Sequence, residues 1–343
     1  MKIKKPKYFS SFSLLEKELA KQNYSKIFVL VDSNTRQHCF SKLLSFSKNI
    51  IIIEIKPTDE HKNLISCEKI WQTLSAENAD RKSVLINIGG GMICDLGGFA
   101  ASVYKRGIDF MHVPTTSMAM CDAAIGGKTA VNFANAKNII GTFHQPKQIF
   151  ICNDFLKSLP KRELISGLAE VMKHALLNND KKILNQLNEI AVDDLDWKKL
   201  VKSSVEYKMK VIEKDFFEQN IRKLLNVGHT FGHAVEAALM HDEKKKLLHG
   251  EAVAMGFRFE ILLAIIVFDL KLDEANFVLE LLDKYFPIIK FSSTEKKKII
   301  ALLKADKKNQ NGKINFSLFK KIGNAKIDCF VSEENIEQLL KAF

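Results

Sequence analysis

Short β-branched runs separated by helical stretches, giving way to helix alone, constrain this chain more than any other pattern in it. Residues 27–31, 50–55, 84–88, 110–113 and 149–151 are apolar runs of strand length, and 67–79 and 96–103 between them have helical character. Such alternation predicts βαβ units and a mostly parallel, buried sheet. From about Pro160 the signal is helical, with periodic apolar residues over 163–178, 181–190, 197–215, 232–239, 251–270 and 273–285. A chain of 343 residues is long enough for two domains. The pattern puts an α/β domain over 1–155 and a helical domain over 156–343, with the junction at 154–160.

Bulk properties narrow the function classes. Apolar residues make up 46% and charged residues 27%, as in ordinary globular proteins. The most apolar stretch, 257–270, is interrupted by Arg258, Glu260 and Asp269, which makes it a core helix and not a membrane span. The N-terminus, Met1-Lys2-Ile3-Lys4-Lys5-Pro6, is basic without a signal peptide's apolar stretch, so a cytoplasmic address is expected. The six cysteines are scattered with no C-x-x-C pair, which predicts reduced, mostly buried thiols and argues against a cysteine zinc cluster. A net charge of +12 suits nucleic acid or a small anionic substrate. The lysines are spread along the chain, and the triplets at 244–246 and 296–298 fall in polar segments of helical character. A solvated surface is therefore expected, with no nucleic-acid partner.

Three segments of the first half point to anion chemistry. Ile86-Asn87-Ile88-Gly89-Gly90-Gly91 runs from strand through glycines into a helix, where backbone N–H groups can approach a phosphate. It departs from the G-x-G-x-x-G fingerprint because Cys94 occupies the third glycine position. A tight turn with close helix packing would use the same glycines. Asp32-Ser33-Asn34 ends the first strand, where a ribose hydroxyl is read in such folds. Gly126-Gly127-Lys128-Thr129 is like the end of a P-loop, but Asp122 stands where that loop needs its first glycine. Lys128, Lys137 and Asn138 beside glycines suit a carboxylate or phosphate instead.

In the helical half, His229 and His233 lie four residues apart, and Leu248-His249-Gly250-Glu251 adds a third imidazole. If the segment from Phe231 to Leu239 is helical, His229 and His233 project from one face. Glu170 and Lys173 occupy another helical segment, and a glutamate with two histidines makes a plausible open zinc site. Residue types alone leave His229 and His233 equal as ligands. His174, one turn from Glu170, reads as a packing or supporting histidine. Arg222 and Asn226 would share a helical face leading to His229, after Glu218.

Taken in order, eight segments resemble the 3-dehydroquinate synthase family of sugar-phosphate cyclases. They are Gly-Gly-Gly-x-x-x-Asp from Gly89, Pro114-Thr115-Thr116, Gly-Gly-Lys-Thr-Ala from Gly126, Lys137-Asn138, Gly-x-Ala-Glu-Val-x-Lys from Gly167, Arg-x-x-x-Asn-x-Gly-His from Arg222, Leu-His-Gly-Glu from Leu248, and Asp306-Lys307-Lys308. The resemblance implies a Rossmann-like NAD-binding α/β domain, an all-α metal-binding domain, and an active site in the cleft between them. It implies that Glu170, His229 and His249 hold Zn2+ or Co2+, that His233 transfers protons and that Glu218 is a proton acceptor, with Lys173 and Arg222 in the catalytic set. Asp122, Lys128, Lys137, Asn138, Lys173, Lys208, Arg222, Asn226 and Lys307 match substrate contacts. Arg106 matches a residue that reaches the neighbouring subunit's site, which implies a homodimer. Asp32, Asn34, Asp59, Lys62, Gly90, Gly91, Asp95, Thr115, Thr116 and Ser158 match the NAD site. The implied substrate is a small anionic seven-carbon sugar phosphate, cyclised with loss of phosphate.

Three departures from the family pattern stand out. Thr58-Asp59-Glu60-His61-Lys62 replaces Gly-Glu-x-x-Lys, with Asp59, or Glu60 in a shifted turn, for the glutamate. Ala123-Ala124 replaces a serine pair, and Ser158 a threonine. Another sugar-phosphate cyclase or a metal-dependent polyol dehydrogenase are the competing readings. Arg222, Asn226, Lys137 and Asn138 argue against the dehydrogenase, which has no phosphate and carboxylate to grip.

Overall fold

A computed structural model describes residues 3–10, 13–40, 50–134, 136–306 and 309–343; Lys307, a candidate substrate contact, lies outside them. The chain divides into two compact units, Met1–Leu164 and Ile165–Phe343. In the first, strands β1 (Lys7–Tyr8), β2 (Ile27–Asp32), β3 (Ile50–Ile55), β4 (Val84–Gly89), β5 (Asp109–Pro114) and β8 (Gln148–Ile151) form one sheet in the order β1-β8-β5-β4-β2-β3. Every pairing is parallel. The five sequence runs read as strands all fall in this sheet. Every residue of β4 is buried, as a strand covered on both faces requires.

Helices α1 (Ser13–Gln22), α2 (Ser33–His38), α3 (Leu64–Ala76) and α4 (Gly91–Val103) belong to this unit. Phe28, Leu30, Leu85, Ile70, Leu74, Leu96 and Phe110 form its core. Helix α4 lies close on the sheet because Gly97 has no side chain, and a Cβ there would overlap the Asn87 amide. An antiparallel hairpin, β6 (Lys128–Phe133) and β7 (Ala136–Phe143), was not legible as strands in the sequence.

The second unit is helical, with α5 (Lys161–Ser166) running into it, then α6 (Leu168–Asn178), α7 (Lys181–Glu189), α8 (Trp197–Lys214), α9 (His229–Leu239), α10 (His249–Phe268), α11 (Leu272–Tyr285), α12 (Ser293–Lys304) and α13 (Glu333–Leu340). The expected helical character holds, with one addition: an antiparallel hairpin of β9 (Ile314–Lys321) and β10 (Asn324–Val331). Its inward residues Phe316 and Leu318 join Phe231, Val235, Phe259 and Leu263 in the core. Phe231 and Phe259 stack with centroids 3.9 Å apart and planes 4° from parallel. Helices α9 and α10 touch through backbone, because a Cβ on Gly256 would overlap the Gly228 carbonyl.

Two local expectations are corrected. Residues 244–246 form a turn and not a helix, whereas 296–298 lie in α12 as expected. Arg222 and Asn226 lie in a 3-10 turn, Ile221–Asn226, so they share no α-helical face. Among the described residues, no helix is long and apolar enough to cross a membrane. All six cysteines are free and buried, as their scatter predicted.

Candidate active site

In the second unit, the turn of Gly228 (φ +82°) starts α9, and its first residue is His229. His229, His233 and His249 each bring a ring nitrogen within 4.8 Å of the others. The His229 Nδ1–H donates to the Val227 carbonyl at 3.2 Å, since a carbonyl only accepts. That bond turns Nε2 toward Glu170 Oε1, 3.5 Å away. His249 Nδ1 lies 3.2 Å from Glu236 Oε2, so the carboxylate holds the N–H there and leaves Nε2 as the lone-pair donor. His233 is the exposed member of the three.

Glu170, on α6, is fully buried, and Lys173 on the next turn pairs with it at 2.5 Å. Lys173 also donates to the Leu225 carbonyl at 2.7 Å, which ties α6 to the turn before α9. Three imidazoles beside a buried carboxylate form the N and O donor set that zinc or cobalt takes. The geometry groups all three histidines; the division into two ligands and one proton carrier comes from the resemblance. His174 is buried, 2.6 Å from Ser204 Oγ and 3.8 Å from Glu170 Oε2.

In the same unit, Glu218 (φ +59°) accepts from Asn226 Nδ2 at 3.0 Å. Arg222 is buried and donates through Nη1 to the Phe216 carbonyl, while its backbone N–H donates to Asp215. Lys208, on α8, is also buried. Glu260 on α10, which the motifs did not single out, accepts from the Gly228 N–H at 2.6 Å and so caps α9 from a neighbouring helix. Burial pushes its carboxyl up to about 8 against the pull of those backbone bonds. Glu236 was missed as well, though its place three residues after His233 was a legible signal.

In the first unit, Gly90 caps α4 and Gly91 begins it. The Thr115 N–H donates to Gly89 O at 2.9 Å, and Thr116 Oγ1 accepts from Ala119 N at 3.1 Å, so the Thr-Thr pair lies beside the glycine turn. Lys62, buried, reaches Asp95 at 3.2 Å and Asp59 at 3.3 Å. Asp59 also meets Lys137 at 3.2 Å. Burial works against ionisation of Asp59, but Lys62 and Lys137 outweigh it and hold its carboxyl below the usual range. For Asp95 burial dominates and raises it, with Lys62 offsetting only part. Candidate cofactor and substrate residues therefore meet on one carboxylate.

The other candidates of this unit are more dispersed. Asp32 caps α2, accepting from Thr35 N at 2.8 Å and Thr35 Oγ1 at 3.0 Å, and Asn34 is exposed in that helix's first turn. Ser158 is exposed and donates to Phe155 O at 3.1 Å. Asp122 lies in a π-type turn, Ala119–Ala123, half-buried. Lys128 is exposed at the start of β6, after Gly126 and Gly127 at positive φ. Arg106 is exposed with φ +67°.

Comparison with known proteins follows the same division. Residues 52–166 match the family model of the 3-dehydroquinate synthase N-terminal domain, and 167–309 that of the C-terminal domain. A 3-dehydroquinate synthase of Parabacteroides distasonis is 38% identical over 96% of this chain and 94% of its own. The 2-epi-5-epi-valiolone synthase ValA of Streptomyces hygroscopicus, solved with NAD+ and Zn2+ bound, superposes with a TM-score of 0.87 at 25% identity, covering 100% of this chain and 97% of its own. A 2-deoxy-scyllo-inosose synthase, solved with carbaglucose-6-phosphate, NAD+ and Co2+, superposes at 0.84 with 23% identity, covering 98% and 96%.

Proposed function

This chain belongs to the 3-dehydroquinate synthase family, and from that premise we propose how its residues divide the family's reaction. It converts 3-deoxy-D-arabino-heptulosonate 7-phosphate to 3-dehydroquinate and phosphate, the cyclising step of the shikimate pathway toward aromatic amino acids. The convergence of His229, His233 and His249 beside buried Glu170, in a chain matched by both family domains, carries this reading.

The first unit binds NAD through the Gly90–Gly91 turn, Thr115, Thr116, Asp95, Lys62 and Asp32, and the second binds the metal through Glu170, His229 and His249. When bound, NAD would supply a reversible hydride acceptor for a substrate carbinol, and zinc or cobalt would supply a Lewis acid for the hydroxyl at that carbon. Lys128, Lys137, Lys208 and Arg222 provide fixed positive charge for the phosphate and carboxylate of the sugar. Asn138 and Asn226 orient its hydroxyls. Lys173 neutralises Glu170, which otherwise faces a steep cost as a buried charge. His233, exposed beside the other two imidazoles, carries a proton in and out. Glu218, held by Asn226, accepts another. A cytoplasmic homodimer, with Arg106 offered to the neighbouring copy, completes the proposal; the exposure of Arg106 leaves its side chain accessible to such a copy.

The test is redox bookkeeping. The purified chain with its metal, NAD and the seven-carbon sugar phosphate should release phosphate and form the carbocycle over many turnovers, with flat NADH absorbance. One NADH per substrate consumed, without phosphate release, would replace the cyclase with a dehydrogenase of the same fold.

A further inference from the structure

Asn132 lies in β6 opposite an irregularity that re-aims the candidate substrate residues. Val131 pairs with Ile140 and Phe133 with Ala136, so 137–139 face Asn132 alone. A bulge of this kind turns side chains out of a regular ladder. Here it turns Lys137 and Asn138, and Asn138 takes the left-handed conformation at φ +54°. Asparagine is one of the few non-glycine residues that adopt it readily, and a hydrogen bond to its backbone N–H gives it further support.

Asn132 supplies that support and joins it to the cofactor side. Its Oδ1 accepts from the Asn138 N–H at 3.0 Å. Its Nδ2 donates to the Asp59 carbonyl at 3.0 Å and to Asp59 Oδ2 at 3.1 Å, and its backbone N–H donates to Lys62 O at 2.7 Å. Lys137 closes the ring on Asp59 Oδ2 at 3.2 Å. One amide, donor at one end and acceptor at the other, thus bolts the 58–62 turn to the bulge bearing Lys137 and Asn138. A carboxamide carries donor and acceptor on separate atoms at the end of a short stem, and glutamine would place them one methylene further out.

We propose that Asn132 is a positioning residue that makes the cofactor-side turn and the substrate-side bulge one piece, so that losing it weakens dinucleotide and sugar phosphate together. This deepens the cyclase reading and rests on it. Wild-type phosphate release is measured first, so failure of that reading appears before any variant is compared. Asn132→Leu removes both functions at similar size. Asn132→Asp keeps the acceptor for Asn138 but sets a carboxylate against Asp59, and stands in if the leucine variant does not fold. The readouts are KM and kcat for the sugar phosphate, NADH affinity by fluorescence titration without substrate, and the thermal midpoint. The expected result is KM raised tenfold or more, a smaller fall in kcat, and NADH affinity weakened several-fold. A lowered midpoint with KM and NADH affinity unchanged would make Asn132 a hairpin strut only. A change in one affinity without the other would likewise overturn the link.

Discussion

At His249 the side chain that matters and the one that orients it come from different helices, since Glu236 belongs to α9 and His249 begins α10. His249→Ala should abolish tight metal binding, because two remaining protein ligands make no stable site. Glu236→Ala should weaken it by about 10- to 100-fold, as removal of an outer partner does elsewhere. Elemental analysis and chelator competition measure both. Full zinc retention in His249→Ala would pass the ligand role to His233. A second residue-scale prediction concerns His112, buried in β5 with Nδ1 accepting from Asn87 Nδ2 at 3.3 Å. Burial lowers its pKa from 6.5 to about 3, so the folded chain holds it neutral where the unfolded chain protonates it. Unfolded protein then binds more protons, and stability contributed by His112 is lost as pH falls from 6.5 toward 3. The slope is about 1.4 kcal/mol per pH unit at most. His112→Gln, which keeps an acceptor for Asn87, should flatten that share of the slope in urea titrations at pH 7 and 5.

At the level of elements, the N-terminus of α9 has no side-chain cap of its own, and the Glu260 carboxyl from α10 takes that place. Glu260→Ala should cost about 1–3 kcal/mol, the penalty of a buried N–H left without an acceptor. Glu260→Gln retains an acceptor oxygen and should lie near wild type. Urea unfolding of the pair measures this, and an alanine variant as stable as wild type would refute the cap. The same example shows where sequence reading stops. Helix α9 and its histidines were legible because Ala234, Ala237 and Ala238 give the segment helical character, and a four-residue spacing then sets His229 and His233 on one face. Glu260 stood out merely as a charge inside an apolar run, since its partner is 32 residues away. Glu236 was reachable by counting along one helix, whereas Asn132 gains its role only from a bulge and a turn 73 residues upstream. The hairpins escaped for different reasons: β7 is largely exposed and presents no apolar face, whereas β9 alternates Ile314, Phe316 and Leu318 with Asn315 and Ser317, a strand signal that the surrounding helical pattern overshadowed. The parallel strands, buried on two sides, announced themselves as continuous apolar runs.

For the whole molecule, the candidate metal ligands and the candidate NAD residues segregate by unit. Glu170, His229, His233 and His249 belong to Ile165–Phe343, on α6, α9 and α10, and the glycine turn, Lys62, Asp95 and the Thr115–Thr116 pair to Met1–Leu164. Each unit has its own apolar core, with Phe259 and Leu263 in one and Leu30 and Leu96 in the other. A ligand stabilises what it binds, by about 2.7 kcal/mol at a concentration 100-fold above its Kd. Stripping the metal should therefore accelerate amide exchange across α6, α9 and the start of α10, with β4 and α4 little changed. Adding NADH to the stripped protein should slow exchange at the β4–α4 turn and at 58–62, leaving α9 at its metal-free rate. Hydrogen-exchange mass spectrometry of the metal-loaded, stripped and NADH-bound chain reads both effects in the same peptides. Exchange that rises evenly over both units on metal removal would sink the division of labour, and would mean that the ion stabilises the chain as a whole. Protection by NADH appearing at α9 instead of the glycine turn would move the dinucleotide to the other unit.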